Sequence, residues 1–205
     1  MPAEANSLAG PQRIGPIRWQ RLPYRTGEAA EPTVRYWLQA VFDLPADATV
    51  FRRDVHGRPR MAAPDWDASW SHSGDGLLVA AGQGVWLGVD LERQRARPRA
   101  LELARRFFSP AEADWLAALP AERQQPMFVR LWCAKEALLK AHGRGIAFGL
   151  HRLQFAIDAD DRLRLLHCDP ALGQPGQWQL HEAALHPGER AVLAWRPTAT
   201  PPTHE

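Results

Sequence analysis

The apolar and polar positions along the chain group into helical stretches followed by short strands. Pro32 opens a helix as its first residue, "TVRYWLQAVF" continues it, and Leu44-Pro45 ends it. Strand-like runs follow at 49–53 and 66–71. "LLVAA" and "VWLGVDL" then flank Gly82-Gln83-Gly84 and predict a hairpin. Beyond Asp90 the pattern becomes helical through "RALELARRFF". Ser109-Pro110-x-Glu112 reads as a second helix start, with serine as N-cap and proline in the first position. A third helix fits 125–142 and stops at Gly143. The remainder, "LQFAID", "RLRLLH", "WQLHEAAL" and "AVLAW", predicts short strands between Gly, Pro and Asp turns. Helices followed by antiparallel strands in each half is an α+β order, not the strict alternation of a parallel α/β sheet.

The third helix stands out. Leu131, Ala134, Leu138 and Ala141 form one stripe, and Trp132, Cys133, Ala137 and Leu139 cover most of the remaining circumference. A helix apolar nearly all round is a buried one. Its charges, Lys135, Glu136 and Lys140, must therefore face a cleft or find partners.

Composition narrows the function classes. At 205 residues, 45% hydrophobic and 23% charged, the chain suits one globular unit, expected as halves 1–94 and 95–205. A net charge of +2 argues against a bulk nucleic-acid binder. Residues 11–60 nevertheless hold nine arginines against five carboxylates, a region able to meet an anionic ligand. Cys133 and Cys168 form neither a metal pair nor a disulfide framework. No signal peptide and no run of about 18 apolar residues is present, so a cytoplasmic protein away from membranes is expected. The ends, 1–12 and 197–205, are Pro- and Thr-rich and expected to fray.

Two features carry chemistry. In "WLGVDLE" the period of two puts Asp90 and Glu92 on one face of a strand. Their mutual repulsion calls for a hard divalent cation or for exposure at a strand end. Glu136 and Lys140 are i,i+4 neighbours, so they form either a surface ion pair or part of a site for phosphate and metal. The chain uses arginine 23 times and lysine only at Lys135 and Lys140. Lysine delivers a compact point charge on a thin stem, where arginine offers a broad fork.

"GVDLE" followed by "RLWCAKEALLKAHGRGI" resembles the 4′-phosphopantetheinyl transferases of the surfactin-synthetase-activating (Sfp) type. Upstream, "HGRPRM" and "ASWSHSGD" are similar to that family's G-[KR]-P and S-H-S segments, and "ARRFFSPAE" to its R-F-F-[ST]-x-x-E stretch. The likeness runs from about Gly57 to Ile146. It implies a pseudodimer of two similar α+β halves, each a small antiparallel sheet packed with helices, with the active site between them, and hence a monomer. It implies transfer of phosphopantetheine from coenzyme A to a serine of an apo acyl or peptidyl carrier protein, releasing adenosine 3′,5′-bisphosphate. Asp90, Glu92 and Glu136 would hold Mg²⁺, or Mn²⁺ in its place. Lys140, with Lys135 near it, would contact the coenzyme A phosphates. Arg58, Ser71 and His72 would bind the 3′-phosphate and adjoining nucleotide, with Arg35 as a further phosphate contact. Glu136 or Glu112 would be the general base, although Glu112 also fits a helix capping box.

Two rival readings remain open from sequence. One is a metal-dependent phosphodiesterase or nuclease, which uses similar carboxylates but wants a continuous basic groove. The other is a non-catalytic module binding coenzyme A or a carrier protein, which would be expected to lose a metal ligand.

Overall fold

The computed structural model describes residues 10–183 and 185–198, so most of the two expected frayed ends lies outside the described residues. The chain opens with β1 (Gln12–Ile14) and β2 (Ile17–Pro23) and continues into α1 (Ala30–Phe42). Neither strand was expected, although Ile17, Trp19 and Arg21 alternate inward along β2. Pro32 is the third residue of α1 instead of its first, within the turn whose N–H groups need no helical partner. β3 (Phe51–Arg53), β4 (Pro59–Met61), β5 (Trp66–Ser73), β6 (Gly76–Gln83) and β7 (Val85–Arg93) follow. Next come α2 (Ala100–Phe107), α3 (Pro110–Ala118) and α4 (Ala121–His142). The chain closes with β8 (Leu153–Ile157), β9 (Leu163–Cys168), β10 (Gln179–Ala183) and β11 (Glu189–Pro197).

The strands form two antiparallel sheets, ordered β1-β2-β6-β5 and β10-β11-β7, with small ribbons β3-β4 and β8-β9. The expected hairpin at Gly82–Gly84 is absent: β6 pairs with β2 and β5, and β7 pairs with β11. Both faces of β7 are made for burial, so the chain turns at Gly84 out of the first sheet and into the second. β7, which ends at Arg93, belongs to the second sheet through its pairing with β11.

The α+β class holds, and the layering is symmetric. One face of the first sheet, with Leu77, Val79 and Ala81, packs on Val34, Trp37 and Leu38 of α1. Its other face, with Ile17, Trp19, Leu78 and Ala80, meets Leu87, Val89, Leu91, Leu193 and Trp195 of the second sheet. The outer face of that second sheet, through Val192 and Ala194, packs on α4 and its neighbours. Each half is thus a sheet with helix outside, and the two sheets share a core back to back.

Candidate active site

Three residues out of four along one face of β5 have turned into rungs for β7. Leu87 N–H donates to Asp67 Oδ2 at 2.8 Å, Val89 N–H to Ser69 Oγ at 3.1 Å and Arg93 N–H to Ser73 Oγ at 3.0 Å. The offset is 20 residues each time, so the strands run side by side in parallel while side chains replace the backbone ladder. Period two explains the spacing of Asp67, Ser69, Ser71 and Ser73. The fourth, Ser71, sits where the partner is a side chain, and its hydroxyl donates to Asp90 Oδ1 at 2.9 Å.

Lys140 closes this group. Its Nζ donates to Asp90 Oδ1 at 2.7 Å and to Ser71 Oγ at 3.0 Å. Burial opposes the lysine's charge, but Asp90 and then Glu136 outweigh it and raise its pKa. Helix α4 comes this near because position 88 is glycine: a Cβ there would collide with the Ala137 carbonyl and the Ala141 amide. Glu136, one helical turn before Lys140, has its pKa pushed up to about 7 by burial and then by Asp90, with Glu92 adding to it and Lys140 opposing. Glu92 is likewise raised, by burial first and Asp90 second, and is held by Arg97 at 2.5 Å. The i,i+4 neighbours are therefore no surface ion pair; Lys140 belongs to Asp90.

The structure places other expected site residues elsewhere. Lys135 is fully buried on another side of α4, donating to Glu112 Oε2 at 2.8 Å and to the carbonyls of Leu150 and Leu153. Burial lowers its pKa to about 8. Glu112 completes a capping box with Ser109 and also accepts from the Phe155 N–H at 2.9 Å. This pair ties α3, α4 and β8 together and is not brought to Asp90. Arg58 is 7% exposed, its guanidinium donating to the Asp67 carboxylate and to the carbonyls of Leu87, Lys140 and Ala141. It latches the end of α4 to β5 and β7. His72 is exposed and stacked on Tyr24, ring centroids 4.5 Å apart. Arg35 donates to the Ala46 carbonyl at 3.3 Å. Sequence reasoning missed Asp67, Ser69 and Ser73, whose D-x-S-x-S-x-S period was legible, and Arg97, which carries no such signal.

A divalent cation fits the chemistry of Asp90, Glu92 and Glu136. All are hard oxygen donors, two of them have pKa values raised by burial and then by Asp90, and Asp90 Oδ2 is buried without a hydrogen-bond partner. Among the described residues, however, no three His, Cys, Asp or Glu side chains are gathered closely enough to hold a metal. Lys140 and Arg97 supply the opposing charge instead. Beside Lys140 a cavity of about 290 Å³ opens between the β3–β4 turn and the loop after α4.

Back-to-back α+β halves meeting at a carboxylate–lysine site define a class, and comparison with known proteins gives that class its name. The 4′-phosphopantetheinyl transferase superfamily matches residues 87–198, more than half of the chain, and the chain belongs to it. It is 34% identical over 136 residues to 4′-phosphopantetheinyl transferase psf-1 of Bacillus pumilus, covering 66% of this chain and 57% of that one. The putative 4′-phosphopantetheinyl transferase slr0495 of Synechocystis is 34% identical over 155 residues, covering 74% and 61%. The transferase Sfp of Bacillus subtilis is 29% identical over 133 residues, covering 64% and 58%. The chain therefore spans about six-tenths of the length of these relatives.

Proposed function

We propose that the chain transfers 4′-phosphopantetheine from coenzyme A to a serine hydroxyl of an apo acyl or peptidyl carrier protein. The observation that carries this reading is the Ser71–Asp90–Lys140 group with Asp90 Oδ2 left unpartnered, beside Glu136 with a pKa of about 7. A carboxylate titrating near neutrality suits a general base, so Glu136 takes the serine proton as the hydroxyl oxygen attacks phosphorus. The P–O bond to the nucleotide breaks, and adenosine 3′,5′-bisphosphate leaves. Lys140 holds a pyrophosphate oxygen as charge builds on the leaving group. Mg²⁺ held by Asp90, Glu92 and Glu136 would supply Lewis-acid charge to the same oxygens. Glu112, committed to its cap and to Lys135, is left out of the chemistry.

Ser71 orients Asp90 in this reading instead of touching the nucleotide. The shared core of the two sheets supports action as a monomer. The free cysteines, Cys133 and Cys168, suit the reducing cytoplasm, and among the described residues no helix is long and apolar enough to cross a membrane.

The test is incubation with coenzyme A, Mg²⁺ and several apo-carriers, followed by intact mass of the carriers. Wild type should add one phosphopantetheine, Asp90→Ala none, and Lys140→Arg should lose at least about tenfold in turnover efficiency, because the fork does not fit beside Asp90 and Ser71. Hydrolysis of coenzyme A or nucleic acid with no gain in carrier mass would favour a phosphodiesterase and sink the transferase reading.

A further inference from the structure

Each of the two carboxylates on one face of β7 has one oxygen taken and one left over. Asp90 Oδ1 accepts from Lys140 and Ser71, while Oδ2 is buried without a partner. Glu92 Oε2 accepts from the Arg97 guanidinium at 2.5 Å, while Oε1 enters no hydrogen bond among the described residues. What Ser71 and Lys140 do for the first carboxylate, Arg97 does for the second.

Arg97 reaches Glu92 from a fastened segment. It lies between β7 and α2, and its backbone is held from both sides. The Arg97 N–H donates to Gln125 Oε1 at 2.8 Å, and the Arg97 carbonyl accepts from the Ala100 N–H at 2.9 Å. The other end of the same side-chain amide, Gln125 Nε2, donates to the Arg95 carbonyl at 2.8 Å. One glutamine therefore grips the segment by a donor and an acceptor at once, as a neighbouring strand would. Gln125 precedes Glu136 by 11 residues, roughly three turns, so both lie on one face of α4. The helix that contributes the third carboxylate thus also fastens the arginine that holds the second.

We propose that Arg97 is a positioning residue for the transfer reaction: it holds Glu92 by Oε2 and leaves Oε1 for the divalent cation, with Gln125 holding Arg97 in turn. Arg97 acts on a cation in two opposed ways. Its charge repels the ion, whereas its grip removes rotamer freedom that Glu92 would otherwise lose on binding. The Arg97 and Glu92 side chains are 26% and 20% exposed, so solvent screens the repulsion. The grip is not screened, and orientation wins. The inference rests on the transferase reading above, whose metal ligands it takes as given.

Titration of Mn²⁺ alone into wild type, Arg97→Ala, Arg97→Lys and Gln125→Ala tests it, followed by the electron spin resonance of the free ion. Melting curves are the control on folding, and Asp90→Ala marks the site. Arg97→Ala should bind Mn²⁺ roughly tenfold more weakly, the usual cost of losing a partner behind a metal ligand. Arg97→Lys keeps a donor and should recover part of that loss, and Gln125→Ala should fall between wild type and Arg97→Ala. Charge alone predicts the opposite sign. Mn²⁺ bound by Arg97→Ala as tightly as by wild type, or more tightly, therefore overturns the assignment and leaves the transferase reading standing. Wild type binding Mn²⁺ no better than Asp90→Ala overturns the metal site of that reading and the assignment with it.

Discussion

At the scale of single residues, the two lysines have separate reasons to be lysine. Lys140 fits a point charge between Asp90 and Ser71, and Lys135 threads a thin stem to Glu112 through the core, over the Phe108 ring at 4.8 Å. Glu136 offers a measurable consequence. Its pKa of about 7 lies above the ordinary value of 4.5, so folding favours the neutral carboxyl. The stability linked to that proton is complete below about pH 4.5 and is lost as pH rises through 7. Glutamine keeps the shape and never ionises. In chelator, the melting temperature of Glu136→Gln minus that of wild type should grow from near zero at pH 4.5 to about 7–13 °C at pH 8, the worth of roughly 3 kcal/mol. A difference that stays flat across this range would show that Glu136 is not perturbed.

Among the elements, the contact of α4 with β7 decides whether the site exists. Gly88 lets helix backbone touch strand backbone, and rungs from β5 fix the other side of β7. Gly88→Ala must separate the two, because the obstacles are a carbonyl and an amide of the helix and neither can swing aside. Overpacking of this kind costs about 1–3 kcal/mol or more. Denaturant unfolding should report that loss, and Lys140 should move off Asp90 even in molecules that remain folded. A fully stable Gly88→Ala variant would mean the helix sits farther from the strand. Of these elements the sequence declared the helix and the strand plainly. It misjudged the partner of β7, since the run of residues 85–91 suits any doubly covered strand and carries no mark of which sheet it joins.

For the whole molecule, the back-to-back sheets are clamped at one end by Arg21 of β2 and Glu189 of β11. Their two hydrogen bonds are 2.8 and 2.7 Å long, and both side chains are buried. The bond to Glu189 raises the pKa of Arg21 and outweighs the burial that works against its charge. Removing one partner of such a pair leaves a buried charge and costs about 3–5 kcal/mol, whereas replacing both by apolar residues is often neutral. Arg21→Met should therefore be strongly destabilised and Arg21→Met/Glu189→Leu much less so, as read by urea midpoints. Equal losses in the two variants would show that the clamp contributes through the charges themselves. The pair is 168 residues apart in sequence, so no local pattern announces it.

What the sequence determined by itself are the properties set by neighbours along the chain. The α4 stripe, the Ser109–Glu112 cap, the shared face of Asp90 and Glu92, and the turn of Glu136 and Lys140 all follow from periods of two and 3.6 residues. Tertiary structure alone decided which partner each charge meets. Arg58 and Lys135 match the transferase pattern as well as Lys140 does, yet one guanidinium closes on Asp67 and one ammonium on Glu112. The physical reason is that a buried charge takes whichever partner the folded chain brings within reach, and that partner lies 9 residues away for Arg58, 23 for Lys135 and 50 for Lys140.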